Sequence, residues 1–352
     1  ETDDTHAESL THPGSVVVPA AFAVAEHVGA SGESLLRAVA LGYDFCCRMG
    51  RALGSYDFFR RGFDPHSFGG IFGAAAAAGA LLRLDERQMR YCLSYAAQQA
   101  SGITSWVRDA VHVEKAFDFA GMPAHNGVRA ALMATSGMTG VADVFDGEPS
   151  FLGTYNPEGD PAVLVRGLGQ EFDVAITTIK KWCVATPAQA SLDGLYKIMR
   201  EQDLSLDTIA EVIAEIPAYG ARVVTGRTMP NVDVLHLLSV MLVDGKLTFA
   251  SSHDIARMAD PAVRMAAKRV RIVPSQEMEQ NAREAFVTVV TTDGRRFREH
   301  VRHVRGTPMN PMEEAEVTAK ARDLIEPVLG AARTGRLIEL VLAVESLKDV
   351  RD

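Results

Sequence analysis

The stretch from Ser67 to Leu82 constrains the fold more than any other part of the chain. It reads Ser-Phe-Gly-Gly-Ile-Phe-Gly-Ala-Ala-Ala-Ala-Ala-Gly-Ala-Leu-Leu and carries no charged side chain. A helix that is apolar on every side has no face to offer water and belongs inside a bundle. Its glycines and alanines let other helices approach its backbone closely. The run also falls short of the ~20 apolar residues that a bilayer span needs. A helix of this kind predicts a helical domain assembled around it.

The flanking sequence agrees. Val16–Val28, Ser34–Leu53, Phe68–Leu84, Glu86–Ser101, Ala124–Ser136 and Gly140–Phe145 carry apolar residues at helical spacing or in buried runs. Pro13-Gly14, Gly29, Gly32, Gly62 and Gly153 punctuate between them. After about residue 172 the pattern changes. Thr208–Ile216 and Val270–Val273 read as strands, and Ala285–Val301 reads as a hairpin turned by Asp293-Gly294. Helices are expected at Ala188–Glu201, Val232–Val243 and Glu313–Leu329, with a last amphipathic helix at Arg336–Leu347. The fold class is therefore mainly α. A large all-helical domain spans 1–172, with 333–352 returning to it, and a smaller α+β domain spans 173–332.

Composition narrows the function. The chain has 36 Lys+Arg against 45 Asp+Glu, a net charge of −9, with 47% hydrophobic and 23% charged residues. That balance suits a soluble globular protein, and an acidic chain lacks the basic face that nucleic-acid phosphates require. The opening Glu1-Thr2-Asp3-Asp4 has the wrong charge for a secretory signal. Cys46, Cys47, Cys92 and Cys183 form no CxxC pair, so they read as small apolar residues in a reducing cytoplasm, not as disulfides, zinc ligands or an iron–sulfur site.

Three segments place proton-transferring or charged residues beside glycine-bearing turns. Asp3-Asp4-Thr5-His6 and Thr11-His12-Pro13-Gly14-Ser15 lead into a helix, where backbone N–H groups attract anions and His12 adds a donor or base. Gly62-Phe63-Asp64-Pro65-His66-Ser67 is a second such turn, with Asp64 or His66 as the proton-transfer group and a plain helix cap as the alternative. Val113-Glu114-Lys115-Ala116-Phe117-Asp118 is the third. Lys180-Lys181-Trp182 lies at the boundary between the two halves, where small-molecule sites tend to form. His236 reads as a packed core histidine and His300-x-x-His303 as surface. The sequence contains no HExxH, P-loop or GxSxG motif, and no GxGxxG in a strand–turn–helix context. Histidines, lysines and helix starts suit an anionic organic substrate, most simply a carboxylate. Removing a proton beside a carboxylate builds charge on its oxygens, which cations stabilise while a histidine takes the proton.

In this order the motifs resemble the MmgE/PrpD family. The resemblance rests on Asp3-Asp4-Thr5 with His12-Pro13-Gly14-Ser15, the Gly62–Ala74 turn and helix, and Lys115-Ala116-Phe117 with Asn126-Gly127. It continues through Ile179-Lys180-Lys181-Trp182, Pro187-x-Gln189-Ala190, Phe249-Ala250-Ser251-Ser252-His253-Asp254 and Asp260-Pro261-Ala262-Val263, covering nearly the whole chain. The family includes 2-methylcitrate dehydratases, cis-aconitate decarboxylases and iminodisuccinate epimerases. The resemblance implies an α+β lid over the helical domain, a site in the cleft between them, a homodimer, further helices upstream of residue 1, and activity without metal or other cofactor.

The resemblance also implies roles. Thr5, His12, Lys115 and Lys180 match positions where the decarboxylases carry site residues. His12, His66, Lys115 and Lys180 are the expected catalytic residues, the histidines for proton transfer and the lysines for carboxylate binding and charge stabilisation. Asp4, Thr5, Asp64 and Tyr219 are the expected substrate-binding residues. The chain also departs from the family. Asp64 replaces a histidine, with His66 two positions later, and Asp118 replaces another. Ala185 or Thr186 stands near a third histidine position, after the lid lysine. These departures argue against cis-aconitate decarboxylase itself and predict a less cationic site, for a substrate with fewer carboxylates. The expected activity is dehydration of a small hydroxy-carboxylic acid by a cytoplasmic enzyme. Epimerase, decarboxylase and catalytically silent carboxylate-binding protein are the alternatives.

Overall fold

The computed structural model describes residues 2–352. The chain is mainly α and divides into two compact units, one of Asp3–Thr178 with Glu339–Asp352 and one of Ile179–Ile338. Each has its own hydrophobic core.

The first unit contains α1 (Pro13–Val28), α2 (Gly32–Ala52), α3 (Ser55–Arg60), α4 (Pro65–Leu81), α5 (Glu86–Gln99), α6 (Val113–Ala116), α7 (Met122–Thr135) and α8 (Phe151–Tyr155). Helix α4 is the alanine-rich run, and all but one of its residues are buried. Pro65 occupies its first turn and the Asp64 side chain accepts the His66 backbone N–H at 2.9 Å, so proline and cap together set where it starts. Small residues then let backbones meet. A Cβ on Gly42 of α2 would lie 2.9 Å from the Gly73 carbonyl of α4, and one on Gly73 would lie 2.6 Å from the Gly42 carbonyl. Phe58, Phe68, Phe72, Met49 and Leu53 fill the space around this crossing. The C-terminal stretch packs here too: the Gly32 N–H donates to the Leu347 carbonyl and the Val350 N–H to the Ala30 carbonyl, both at 2.9 Å.

The second unit carries a four-stranded sheet of β1 (Ile209–Pro217), β2 (Val270–Ser275), β3 (Ala285–Thr291) and β4 (Arg296–Val301), in the order β2-β1-β3-β4. β1 pairs parallel with β2 and antiparallel with β3, and β3 with β4 forms the hairpin at Asp293-Gly294. Helices α9 (Gln189–Glu201), α10 (Ala218–Val224), α11 (Val234–Asp244), α12 (Phe249–His253), α13 (Pro261–Ala267) and α14 (Glu314–Leu329) complete it, and α15 (Ala331–Leu342) follows α14. Leu192, Leu195 and Ile198 of α9 share a core with Val212, Val287 and Val289 of the sheet. The sheet also bears cross-strand ion pairs, Arg271 with Glu211 at 3.2 Å and Arg298 with Glu215 at 3.3 Å.

Three expectations need correction. Gly140–Phe145 is not a helix but a run of bends and turns: the Gly147 N–H closes onto the Asp143 carbonyl at 2.6 Å, and Phe145 reaches the Phe72 ring from there. Its apolar residues are buried from a turn, which periodicity alone does not distinguish from a short helix. The last helix runs Ala331–Leu342, five residues earlier than its amphipathic pattern suggests. Helix α1 begins at Pro13, three residues before the expected Val16. Among the described residues, no helix is long and apolar enough to cross a membrane.

Candidate active site

Two helix starts and one irregular turn of the first unit place their polar residues side by side. His12 stands at the head of α1 and His66 in the first turn of α4. Their rings stack with centroids 4.9 Å apart and planes 15° from parallel. Phe119 stacks on His66 at 3.8 Å and lies 5.4 Å from His12. Phe119 belongs to a π-helical turn, Phe117–Gly121, between α6 and α7. One extra residue per turn re-aims side chains, and such turns are frequent at functional sites.

Each imidazole is held through Nδ1. His66 Nδ1–H donates to Asp64 Oδ1 at 2.5 Å, and the same oxygen caps the helix. His12 Nδ1–H donates to the Asp4 carbonyl at 2.5 Å, with Asp3 Oδ2 at 3.1 Å and Thr5 Oγ1 at 3.4 Å. Thr5 is fixed by paired backbone hydrogen bonds with Thr178 at 2.9 and 2.8 Å. A hydrogen bond at one ring nitrogen sets which nitrogen of a neutral histidine carries the proton.

Asp64 is fully buried and collects donors. Besides the two from His66, Trp106 Nε1–H donates to its Oδ2. Burial alone raises the Asp64 pKa, but His66 and the hydrogen bonds outweigh it and hold the carboxyl down at about 2. The Asp118 carboxyl, also buried, lies against it. Burial and the Asp64 carboxylate push Asp118 up to about 9, so it carries its proton at neutral pH. Lys115 supplies the nearby cation, its Nζ 5.1 Å from the centre of the Phe119 ring and 5.6 Å from that of Trp106.

The structure thus brings His12, His66, Asp64, Thr5 and Lys115 together. Asp64, expected to bind substrate, is fully buried and stands behind His66 as its acceptor. Asp4, also expected to bind substrate, uses Oδ1 to accept the Gly14 N–H at 3.0 Å and Oδ2 to accept the Tyr43 hydroxyl at 2.6 Å, which ties it to the start of α1. Lys180 and Tyr219 belong to the other unit. Lys180 is buried, and its carbonyl accepts a hydrogen bond from Lys320 Nζ at 2.7 Å. Tyr219 sits on α10, partly exposed, with the Arg222 guanidinium 5.7 Å from the centre of its ring. His236 is buried, which lowers its pKa. Trp106 escaped the sequence reading because a lone tryptophan in a loop has no partner in sequence; its donor meets Asp64 only through the fold.

A mainly α scaffold here carries paired histidines, a buried carboxyl pair and a lysine, groups whose chemistry can hold and move protons. The chain belongs to the MmgE/PrpD family: the MmgE/PrpD N-terminal domain matches residues 1–163 and the MmgE/PrpD C-terminal domain matches residues 182–346. Among curated proteins it is similar to a cis-aconitate decarboxylase of Aspergillus terreus (strain NIH 2624 / FGSC A1156), 24% identical over 384 residues, covering 99% of this chain and 76% of that protein. The cis-aconitate decarboxylase-like protein oryM of Aspergillus oryzae is 26% identical over 389 residues, covering 100% and 78%. The cis-aconitate decarboxylase of Homo sapiens is 25% identical over 367 residues, covering 99% and 74%.

Proposed function

We propose that the protein is a lyase that dehydrates a small hydroxy-carboxylic acid. The observation that carries this reading is the stacked His12–His66 pair, each ring bonded through Nδ1, with Lys115 beside it. One histidine takes the proton from the carbon next to a carboxylate. The C–O bond on the neighbouring carbon then breaks, a C=C bond forms, and the second histidine protonates the departing hydroxyl as water. Charge accumulates on the carboxylate oxygens during the first proton transfer, and the Lys115 ammonium stabilises it. The family resemblance assigns carboxylate binding to Lys180 as well. Side chains perform every step.

Decarboxylation is the second reading, favoured by the names of the similar proteins, all cis-aconitate decarboxylases or like them. There the C–C bond to a carboxylate breaks, carbon dioxide leaves, and a histidine returns a proton to carbon. The aspartates at 64 and 118, in place of family histidines, favour dehydration of a substrate with fewer carboxylates. The homodimer and cytoplasmic location implied by the family resemblance belong to the same proposal.

The test is proton NMR of the purified protein with a panel of hydroxy- and unsaturated di- and tricarboxylates in deuterated buffer, with and without chelator. A new alkene signal without carbon dioxide release supports the dehydratase. Loss of a carboxylate moves the assignment to decarboxylase, and exchange without net change moves it to epimerase. Silence from a folded protein across the panel overturns the enzyme reading in favour of a carboxylate-binding protein.

A further inference from the structure

Three donors converge on the buried Asp64 carboxylate: the His66 backbone N–H, His66 Nδ1–H and Trp106 Nε1–H. The Asp118 carboxyl lies against this group, and it too is buried. No donor reaches Asp118 Oδ2 among the described residues. A carboxylate oxygen out of water with no donor is costly, whereas a carboxylic acid there is not. Two carboxyls in contact and out of water do not both ionise. The donors select Asp64 as the ionised partner and leave the single proton with Asp118. The His66 ring is bonded to the protein through Nδ1, at 2.5 Å from Asp64 Oδ1, and is packed between the His12 and Phe119 rings.

We infer that Asp118 and Asp64 form a one-proton carboxyl pair that acts as a positioning unit, fixing His66 in the Nδ1–H form so that Nε2 is the ring nitrogen that exchanges a proton. Asp118 donates to Asp64, Asp64 accepts from His66, and the imidazole is held against Phe119 with its second nitrogen turned away from the pair. Both aspartates stand where the MmgE/PrpD resemblance expects histidines. The exchange of two histidines for this pair, with a histidine moved two residues along, therefore amounts to one linked change. The use of Nε2 in turnover rests on the lyase reading above; the tautomer does not.

The test combines two measurements. Two-bond proton–nitrogen spectra of the nitrogen-labelled protein, with His66 assigned through His66→Gln, follow both ring nitrogens across pH. In the neutral ring Nδ1 is expected to show the protonated signature and Nε2 the unprotonated one. The Nε2–H tautomer in the parent overturns the inference. Turnover gives the second measure. Asp118→Ala is expected to lose about 10²-fold in kcat with KM little changed, the scale of a misplaced catalytic group. Asp118→Asn restores a donor at the same place and is expected to recover most of that loss and to keep the Nδ1–H signature. Equal loss in Asn and Ala variants would mean that Asp118 works as an ionised group, and the pair would fall. If Asp118→Ala fails to fold, the parent spectrum and the Asn variant still decide. A silent parent overturns the proposed function, while the spectra judge the pair independently.

Discussion

Asp64 Oδ1 accepts two hydrogen bonds from one residue, the His66 backbone N–H at 2.9 Å and His66 Nδ1–H at 2.5 Å. One oxygen therefore both caps α4 and orients its imidazole, so helix start and candidate base are a single feature. Asp64→Ala removes the cap, worth about 1 kcal/mol, and leaves His66 Nδ1 and Trp106 Nε1 without their acceptor, at about 1–3 kcal/mol each. Urea unfolding of this variant is expected to show a loss of several kcal/mol. Asp64→Asn keeps an acceptor but removes the charge. It is expected to fold while losing at least about 10²-fold in kcat, the scale of one positioned proton-transfer group.

Lys115 sits half-buried against the Trp106 and Phe119 rings. Lys115→Gln is expected to keep the melting temperature and weaken binding of a carboxylate inhibitor by roughly ten- to a hundredfold, the worth of a hydrogen bond to a charged group. Isothermal titration measures this directly. Unchanged affinity would remove Lys115 from the site.

The alanine-rich helix makes a packing prediction independent of chemistry. Gly42 and Gly73 each lie too close to the other's carbonyl to admit a side chain, and a Cβ at Gly42 would also fall 2.5 Å from Val17 Cγ1. Gly42→Ala is expected to cost about 1–3 kcal/mol by overpacking, despite alanine's better helix propensity. A stabilising result in urea unfolding would contradict the close crossing of α2 and α4.

A buried ionic cluster gives the first unit a pH-dependent stability. Arg51 grips Asp173 with both guanidinium nitrogens at 2.8 and 2.9 Å, and His6 Nε2 lies 3.3 Å from Asp173 Oδ1. Burial acts to lower the His6 pKa, but Asp173 and Cys47 outweigh it and raise it from 6.5 to about 9. Burial acts to raise Asp173, but His6 and Arg51 outweigh it and lower it from 3.8. The His6 contribution is therefore complete below pH 6.5 and is lost as pH rises through about 9. The Asp173 contribution is complete above pH 3.8 and is lost as pH falls through its depressed value. Melting temperature against pH is expected to show both limbs. In Asp173→Asn the limbs should flatten and stability fall by roughly 3–5 kcal/mol, the cost of breaking a buried pair.

Much of the scaffold was legible in the residues. The Ser67–Leu82 run, the hairpin at Asp293-Gly294 and the strands at 209–217 and 270–275 follow from patterns local to a few turns or one pleat. The π-helical turn at 117–121 was not legible, because it depends on how α6 and α7 join and not on composition. His12 and His66 stood out as residues beside helix starts, but their stacking is a contact 54 positions apart in sequence that no local pattern encodes. Asp64 and Asp118 were visible as replacements for histidines, whereas their contact, and Trp106 as the third donor, needed the fold.

The most direct test of the whole account is the rate of deuterium incorporation next to the carboxylate, or of alkene formation, in the parent, His12→Gln and His66→Gln. The account predicts measurable turnover in the parent and a loss of at least about 10²-fold in each variant, with circular dichroism showing that both variants are folded at the assay temperature. A parent that turns over while both variants keep its rate would contradict the assignment of proton transfer to the stacked histidines.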